Sequence, residues 1–369
     1  SYGNSYVPWG SSNEDAYIAD RDREFVLGEF IWNGHDYIGE PTPYKSKNTF
    51  FGIIDTADLP KDSYYFYQSV WTDPETAPMV HLLPYWDDSL TTSDGGEIDV
   101  HAYSNADSVE LFLNGVSLGR QSIDLKTATV LHYKWKVPYA DGTLLAKAYD
   151  KDGKVIATEE VKSFGAPAGI KLEANRTELT ADGKDLLYVT ASIVDKDGNF
   201  VANARNEVKF TVSGAGKLVG VDNGDSTDYD NYYDTERRAF SGKVVAIIMS
   251  DGTEGDITVS ADSYNISSAS PVTVKATHAQ QITQITLGSI DGSSSITNAG
   301  GSLKLTAEIS PSNADYPKVI YSVSDEFGNP TTAAYIDVYG NLTALGNGRV
   351  KVTATALDGS NVSDSAIVT

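Results

Sequence analysis

At 369 residues, 40% hydrophobic and 21% charged, the sequence is globular rather than disordered and too long for one ordinary domain. A formal net charge of -23 sets it against nucleic acid and anionic lipid, and no apolar run approaches the ~20 residues of a membrane-spanning helix. Without cysteine, disulfides and thiolate metal sites are excluded. Residues 1–73 are dense in aromatics and hold the best helical stretches. Ser12 opens a predicted helix over 13–23, with acidic residues in its first turn to suit the helix dipole. Residues 24–32 (EFVLGEFIW) are nearly continuously apolar, which predicts a strand buried on both faces. A loop rich in Gly, Pro and Lys follows, then a short predicted strand over 50–54. Pro60 opens a second helix carrying Tyr64, Tyr65, Tyr67 and Val70 at close to helical spacing. Elements in this order read as a fragment of an α/β barrel.

From residue 74 the apolar period switches to two. The strand 109–113 (VELFL) runs into Asn114-Gly115, a hairpin signal, and 143–149 runs into the turn Asp150-Lys151-Asp152-Gly153. Residues 74–164 form one predicted all-β module. A second, 165–276, carries strands at 188–194, 208–212 and 244–249 and a turn at 195–198. Beyond a linker at 276–281, a third module spans 280–369, with strands at 303–309, 319–323 and 350–354 and a turn at 327–330. Each module has the length and turn spacing of an immunoglobulin-like sandwich. The start at Ser1-Tyr2-Gly3-Asn4, without initiator Met or apolar leader, predicts a piece cut from a longer protein. A long β-rich chain without cysteine suits a secreted or cell-surface bacterial protein.

Several motifs carry a family resemblance. Residues 28–44 (GEFIWNGHDYIGEPTPY) resemble the eighth barrel strand and following loop of glycoside hydrolase family 2 β-galactosidases. Val7-Pro8-Trp9-Gly10-Ser11-Ser12 is similar to the loop after the nucleophile strand. Residues 109–119 (VELFLNGVSLG) and 135–139 (WKVPY) are similar to the first sandwich after the barrel. Residues 221–225 (VDNGD) and 238–242 (RAFSG) are similar to the next, and 280–369 resembles a group 2 bacterial Ig-like domain. The implied fold is mostly β: the C-terminal remnant of a (β/α)8 TIM barrel, then three immunoglobulin-like β-sandwich domains. The family chemistry is retaining hydrolysis, in which one glutamate protonates the glycosidic oxygen and another, ~5–5.5 Å away, forms a covalent intermediate. Both lie on earlier barrel strands, and no position here matches either. The resemblance thus implies no catalytic residue in this chain, no cofactor and no metal. It implies two partners: a galactoside or glycan substrate, and the N-terminal part of the same enzyme to complete the barrel. Residues 1–73 are expected to fold only against that part and to be the first removed by proteolysis.

The candidate substrate-binding residues gather at the carboxyl end of the last barrel strand, where barrel enzymes build their sites. The indole of Trp32 suits the C–H face of a galactose ring, or else fills the barrel core. Trp9 is a second aromatic wall or a packing residue. Tyr37 donates a hydroxyl to the sugar or packs beneath the loop. Asn33 both donates and accepts, which suits sugar hydroxyls. His35 stands where the family more often has an aromatic, and Glu40 reaches in from the loop. Glu29 and Asp36 are expected to make supporting hydrogen bonds. The related β-glucuronidases hold the sugar carboxylate with an Asn-x-Lys before a Gly; Thr49-Phe50-Phe51-Gly52 has neither, and Lys45 and Lys47 lie out of register, which favours a neutral sugar. The Asp-rich loop 222–234 offers oxygen ligands for Ca²⁺ without EF-hand spacing, and its family counterpart is structural. Two functions follow: the C-terminal portion of a retaining β-galactosidase acting on terminal non-reducing β-D-galactose, or a non-catalytic Ig-like array for carbohydrate binding or adhesion.

Overall fold

The computed structural model describes residues 10–41, 45–91 and 96–369. Near its start lie two helices. In α1 (Asn13–Arg21) the Ser12 hydroxyl accepts from the Asp15 amide at 3.1 Å, and Glu14 and Asp15 occupy the first turn. Asp22 closes the helix two residues before the expected end. The second, α2 (Asp62–Trp71), starts after Pro60 and buries Phe66 and Tyr67.

Between the helices the expected buried strand at 24–32 does not form. The backbone there is irregular, and Phe25, Leu27 and Phe30 are 84%, 107% and 102% exposed. A strand buried on both faces needs a hydrogen-bonded neighbour and two covering layers, and the described residues supply neither. The expected strand at 50–54 reduces to isolated bridges. Ile54 pairs parallel with His35: its amide donates to Gly34 O at 2.9 Å, and its carbonyl accepts from the Asp36 amide at 2.9 Å.

Both helices pack on the first sandwich. Phe66 and Tyr67 of α2 pack with Leu83, Tyr103 and Leu131 of the first sandwich, and Tyr17 and Ile18 of α1 close over them. Glu14 accepts from the Leu131 amide and faces His132 Nδ1 at 2.8 Å, while Arg21 Nη1 donates to Leu125 O and Ala128 O at 2.9 and 2.8 Å.

The first sandwich contains β1 (Val80–Leu83), β2 (Glu97–Ser104), β3 (Ser108–Leu113), β4 (Val116–Ser122), β5 (Tyr133–Pro138), β6 (Thr143–Tyr149) and β7 (Val155–Lys162). Its antiparallel sheets run β1-β2-β5 and β4-β3-β6-β7. In β5, Tyr133, Trp135 and Val137 point inward while Lys134 and Lys136 face water, the period-two burial of a half-covered strand. Asn114 and Gly115 join β3 to β4 with φ of 51° and 81°, the left-handed pair that a two-residue hairpin requires. Trp86, Val100, Val109, Leu111 and Leu144 fill the core.

The second sandwich comprises β8 (Gly169–Ala174), β9 (Glu178–Thr180), β10 (Leu186–Val194), β11 (Glu207–Gly214), β12 (Gly216–Asp222), β13 (Glu236–Arg238), β14 (Lys243–Ser250), β15 (Gly255–Asp262) and β16 (Val272–Thr277). Its sheets run β12-β14-β10-β8 and β13-β11-β15-β16-β9. The third holds β17 (Gln284–Ser289), β18 (Ser302–Ser310), β19 (Val319–Asp325), β20 (Ala334–Ile336), β21 (Asn341–Ala344), β22 (Val350–Ala356) and β23 (Ser363–Val368), in sheets β17-β18-β21-β20 and β19-β22-β23. The chain divides into two compact units: one runs to residue 276, and the other comprises 277–369 with 180–182. Among the described residues no helix is long and apolar enough to cross a membrane.

Much of the acidic excess is spent in turns. Asp150, Asp195, Asp325 and Asp337 each accept the backbone amides of the residues two and four positions on. Each turn is completed by a glycine at φ between 81° and 92° three positions on. At Asp195, burial pushes the carboxyl up, but the amides of Gly165, Asn199 and Asp197 and the Asn199 side chain outweigh it and hold the pKa at about 2.

Candidate functional site

Trp32 ends the exposed apolar stretch and is itself 75% exposed. The peptide that joins it to Asn33 is cis. Its ring meets Tyr37 edge-to-face, with centroids 6.5 Å apart and planes at 88°, and the Tyr37 hydroxyl donates to Glu40 Oε2. Three of the candidate residues therefore come together: an indole, a phenol and a carboxylate. That hydrogen bond and burial both raise the Tyr37 pKa, so the phenol is neutral at ordinary pH. Asn33 lies beneath: Nδ2 donates to His35 O, while Oδ1 is buried and finds no donor among the described residues. The His35 imidazole turns elsewhere and holds exposed Asp58 at 2.9 Å. Trp9 lies outside the described residues, as do residues 42–44 of the family-like loop.

Behind the cluster sits a buried ion pair that the sequence did not announce. Lys61 Nζ meets Asp36 Oδ2 at 2.6 Å, with only 3% and 2% of the two side chains exposed, and also donates to Phe50 O at 2.9 Å. Asp36 Oδ1 accepts the Gly52 amide at 2.8 Å. Burial raises the Asp36 pKa, against the charge and hydrogen bond of Lys61 and the Gly52 amide. Gly52 lies so close that a Cβ would stand 2.5 Å from Asp36 N and 2.7 Å from Asp36 Oδ1, so no larger residue fits. Lys61 thus fastens 33–36 to 50–54. The available signal for Lys61 was weak: a single lysine behind Pro60 in an aromatic region. Glu29 Oε1 is also buried without a donor among the described residues, and burial followed by the charge of Asp20 raises its pKa.

The loop after the site is tied to the second sandwich. Lys47 donates its amide to Ser226 O at 2.8 Å and lays its ammonium 4.5 Å from the Tyr232 ring centre, while the Tyr229 hydroxyl donates to Lys45 O at 2.7 Å. Buried Arg237 meets Asp228 at 3.1 Å and Asp222 at 3.8 Å. The Asp-rich loop therefore spends carboxylates on an internal cation and on backbone amides. No group of three or more His, Asp or Glu among the described residues is placed to hold a metal ion.

The arrangement offers a sugar a flat apolar face, a phenol and carboxylate beside it, and a buried amide oxygen. Comparison with known proteins sets these residues in context. Residues 170–272 match the glycoside hydrolase family 2 C-terminal domain 5, residues 95–157 a domain of unknown function (DUF4982), and residues 284–366 the group 2 bacterial Ig-like domain. A β-galactosidase of Bacteroides ovatus is 43% identical over 272 residues, which cover 73% of this chain and 31% of that protein. The chain carries C-terminal domains of glycoside hydrolase family 2. A putative β-glucuronidase of Formosa agariphila is 37% identical over 60% of this chain and 22% of its own length. The crystal structure of a β-glycosidase from Bacteroides vulgatus superposes with TM-score 0.65 at 36% identity, covering 72% of this chain and 33% of that one. The chain thus spans about a third or less of the length of these family 2 relatives. Its two functional neighbours differ in the sugar they are named for, so family membership leaves the substrate to the site.

Proposed function

We propose that this chain is the C-terminal portion of a secreted bacterial, retaining β-galactosidase that releases terminal non-reducing β-D-galactose. Residues 1–73 form the end of its catalytic barrel, and the acid and nucleophile come from polypeptide upstream. The observation that carries this reading is the exposed apolar stretch ending in Trp32. Phe25, Leu27 and Phe30 face solvent directly before an indole braced on Tyr37 and Glu40. So much exposed apolar surface suits an interface, here with the upstream barrel strands. Stacking of the galactose C–H face on Trp32 would orient the glycosidic bond toward the two upstream carboxylates. A neutral sugar is favoured because Lys47, one of the two lysines beside the register where the family's carboxylate clamp would stand, is engaged with Tyr232.

The test is to assay the chain, alone and mixed with the upstream part, on chromogenic β-galactoside and β-glucuronide. The chain alone should be inactive, and the mixture should cleave the galactoside in preference. Activity of the chain alone, or a preference for the glucuronide, would overturn the proposal. A second reading, glycan binding by the last module, draws on the exposed Tyr335 and Tyr339 of the β20–β21 hairpin and predicts retention of residues 280–369 on immobilised glycan.

A further inference from the structure

The first and second sandwiches and the start of α2 enclose a cleft of about 520 Å³, within the size range of small-ligand sites. On one wall His81 lies between two carboxylates, Nε2 3.0 Å from Asp62 and Nδ1 3.2 Å from Glu159, with the Tyr65 ring stacked on it at 3.8 Å. On the other, Lys243 extends along the Phe200 ring, its ammonium 5.5 Å from the ring centre. Burial lowers the Lys243 pKa, against the charges of Glu173 and Asp55. A half-buried ammonium set against a ring face in the cleft lining is placed to donate to a ligand that accepts hydrogen bonds. Ser241, two residues away, lines the same cleft.

We propose that this cleft is a saccharide-binding site for one or two neutral sugar units, separate from the Trp32 cluster and independent of the function assigned to it. The charge of the lining selects the class. Asp55, Asp62 and Glu159 stand against two cations, His81 and Lys243. A ligand carboxylate would therefore enter a site that already carries an excess of negative charge. A neutral polyol meets no such opposition: its hydroxyls accept from Lys243 and donate to carboxylate oxygens, while the apolar faces of its rings lie on Phe200 and Tyr85. His81 is held rigidly by its three neighbours and forms a preorganised wall.

The experiment is calorimetric titration of the whole 369-residue chain with lactose, cellobiose and sodium glucuronate, repeated with Trp32→Ala, Lys243→Met and Lys243→Arg. Cellobiose, which offers no terminal galactose to the Trp32 cluster, should bind wild type. Lys243→Met should weaken that binding about 10-fold, the loss expected for one hydrogen bond to a charged donor, and Lys243→Arg should recover part of it. Methionine keeps the apolar stem, and Lys243 makes its backbone bonds to Phe240 whatever its side chain, so unchanged thermal unfolding will certify the fold. Three results would overturn the proposal: no binding of cellobiose, cellobiose binding lost in Trp32→Ala but kept in Lys243→Met, or binding of glucuronate in preference.

Discussion

At the scale of single residues, exposure separates function from stability. Trp32 is 75% exposed and meets the Tyr37 ring edge-on, so Trp32→Ala should leave unfolding of the isolated chain unchanged. In the enzyme reconstituted with its upstream part it should cut kcat/KM by roughly 10–100-fold, the worth of ~2 kcal/mol of lost apolar contact. Comparison of melting curves with initial rates on the chromogenic galactoside checks both halves. Lys61 is the opposite case. Removing one partner of a buried pair leaves the other charged and unsolvated, so Lys61→Met should destabilise by about 3–5 kcal/mol, while Lys61→Met with Asp36→Leu should cost less. Urea unfolding of the two variants decides it; equal losses would mean that the pair is not the cause.

At the scale of elements, His81 joins α2 to the first sandwich through Asp62 and to β7 through Glu159. Burial presses its pKa down, but hydrogen bonds to both carboxylates and their charges prevail, carrying it from 6.5 to about 9. Because the folded value is the higher, the stabilisation is complete below pH 6.5 and drains away as pH rises through about 9. It amounts to roughly 3 kcal/mol at most. Urea midpoints at pH 6, 8 and 9.5 should fall in wild type and run flatter in His81→Gln. The footing of α1 makes a second prediction. Limited proteolysis should cut first within the irregular, exposed stretch 24–32, while α1 remains attached through Glu14 and Arg21. Early loss of α1 would show that these contacts do not hold it.

At the scale of the whole molecule, the sequence determined what local chemistry can determine. Alternating apolar residues placed strands in all three sandwiches, among them β3, β6, β10, β11, β14, β18, β19 and β22, because a half-covered sheet needs period two. Asn114-Gly115 and the Asp-x-x-Gly turns marked their own positions, because their backbone angles and side-chain acceptors are intrinsic. Helix α1 was legible from its cap. The ordered motifs around Trp32 and through the sandwiches also carried the family resemblance, which the domain matches support. What the sequence could not determine depended on neighbours distant in the chain. The stretch 24–32 has a buried strand's composition but no strand beside it among the described residues, and burial is a property of surroundings rather than of composition. The Asp36–Lys61 pair, the seat of Lys47 on Tyr232 and the cleft around Lys243 join residues 25, 185 and more than 100 positions apart. No periodicity records such meetings. Only the packing of helices and sheets brings these groups together, and only there do their charges, hydrogen bonds and exposure take the values on which a site depends.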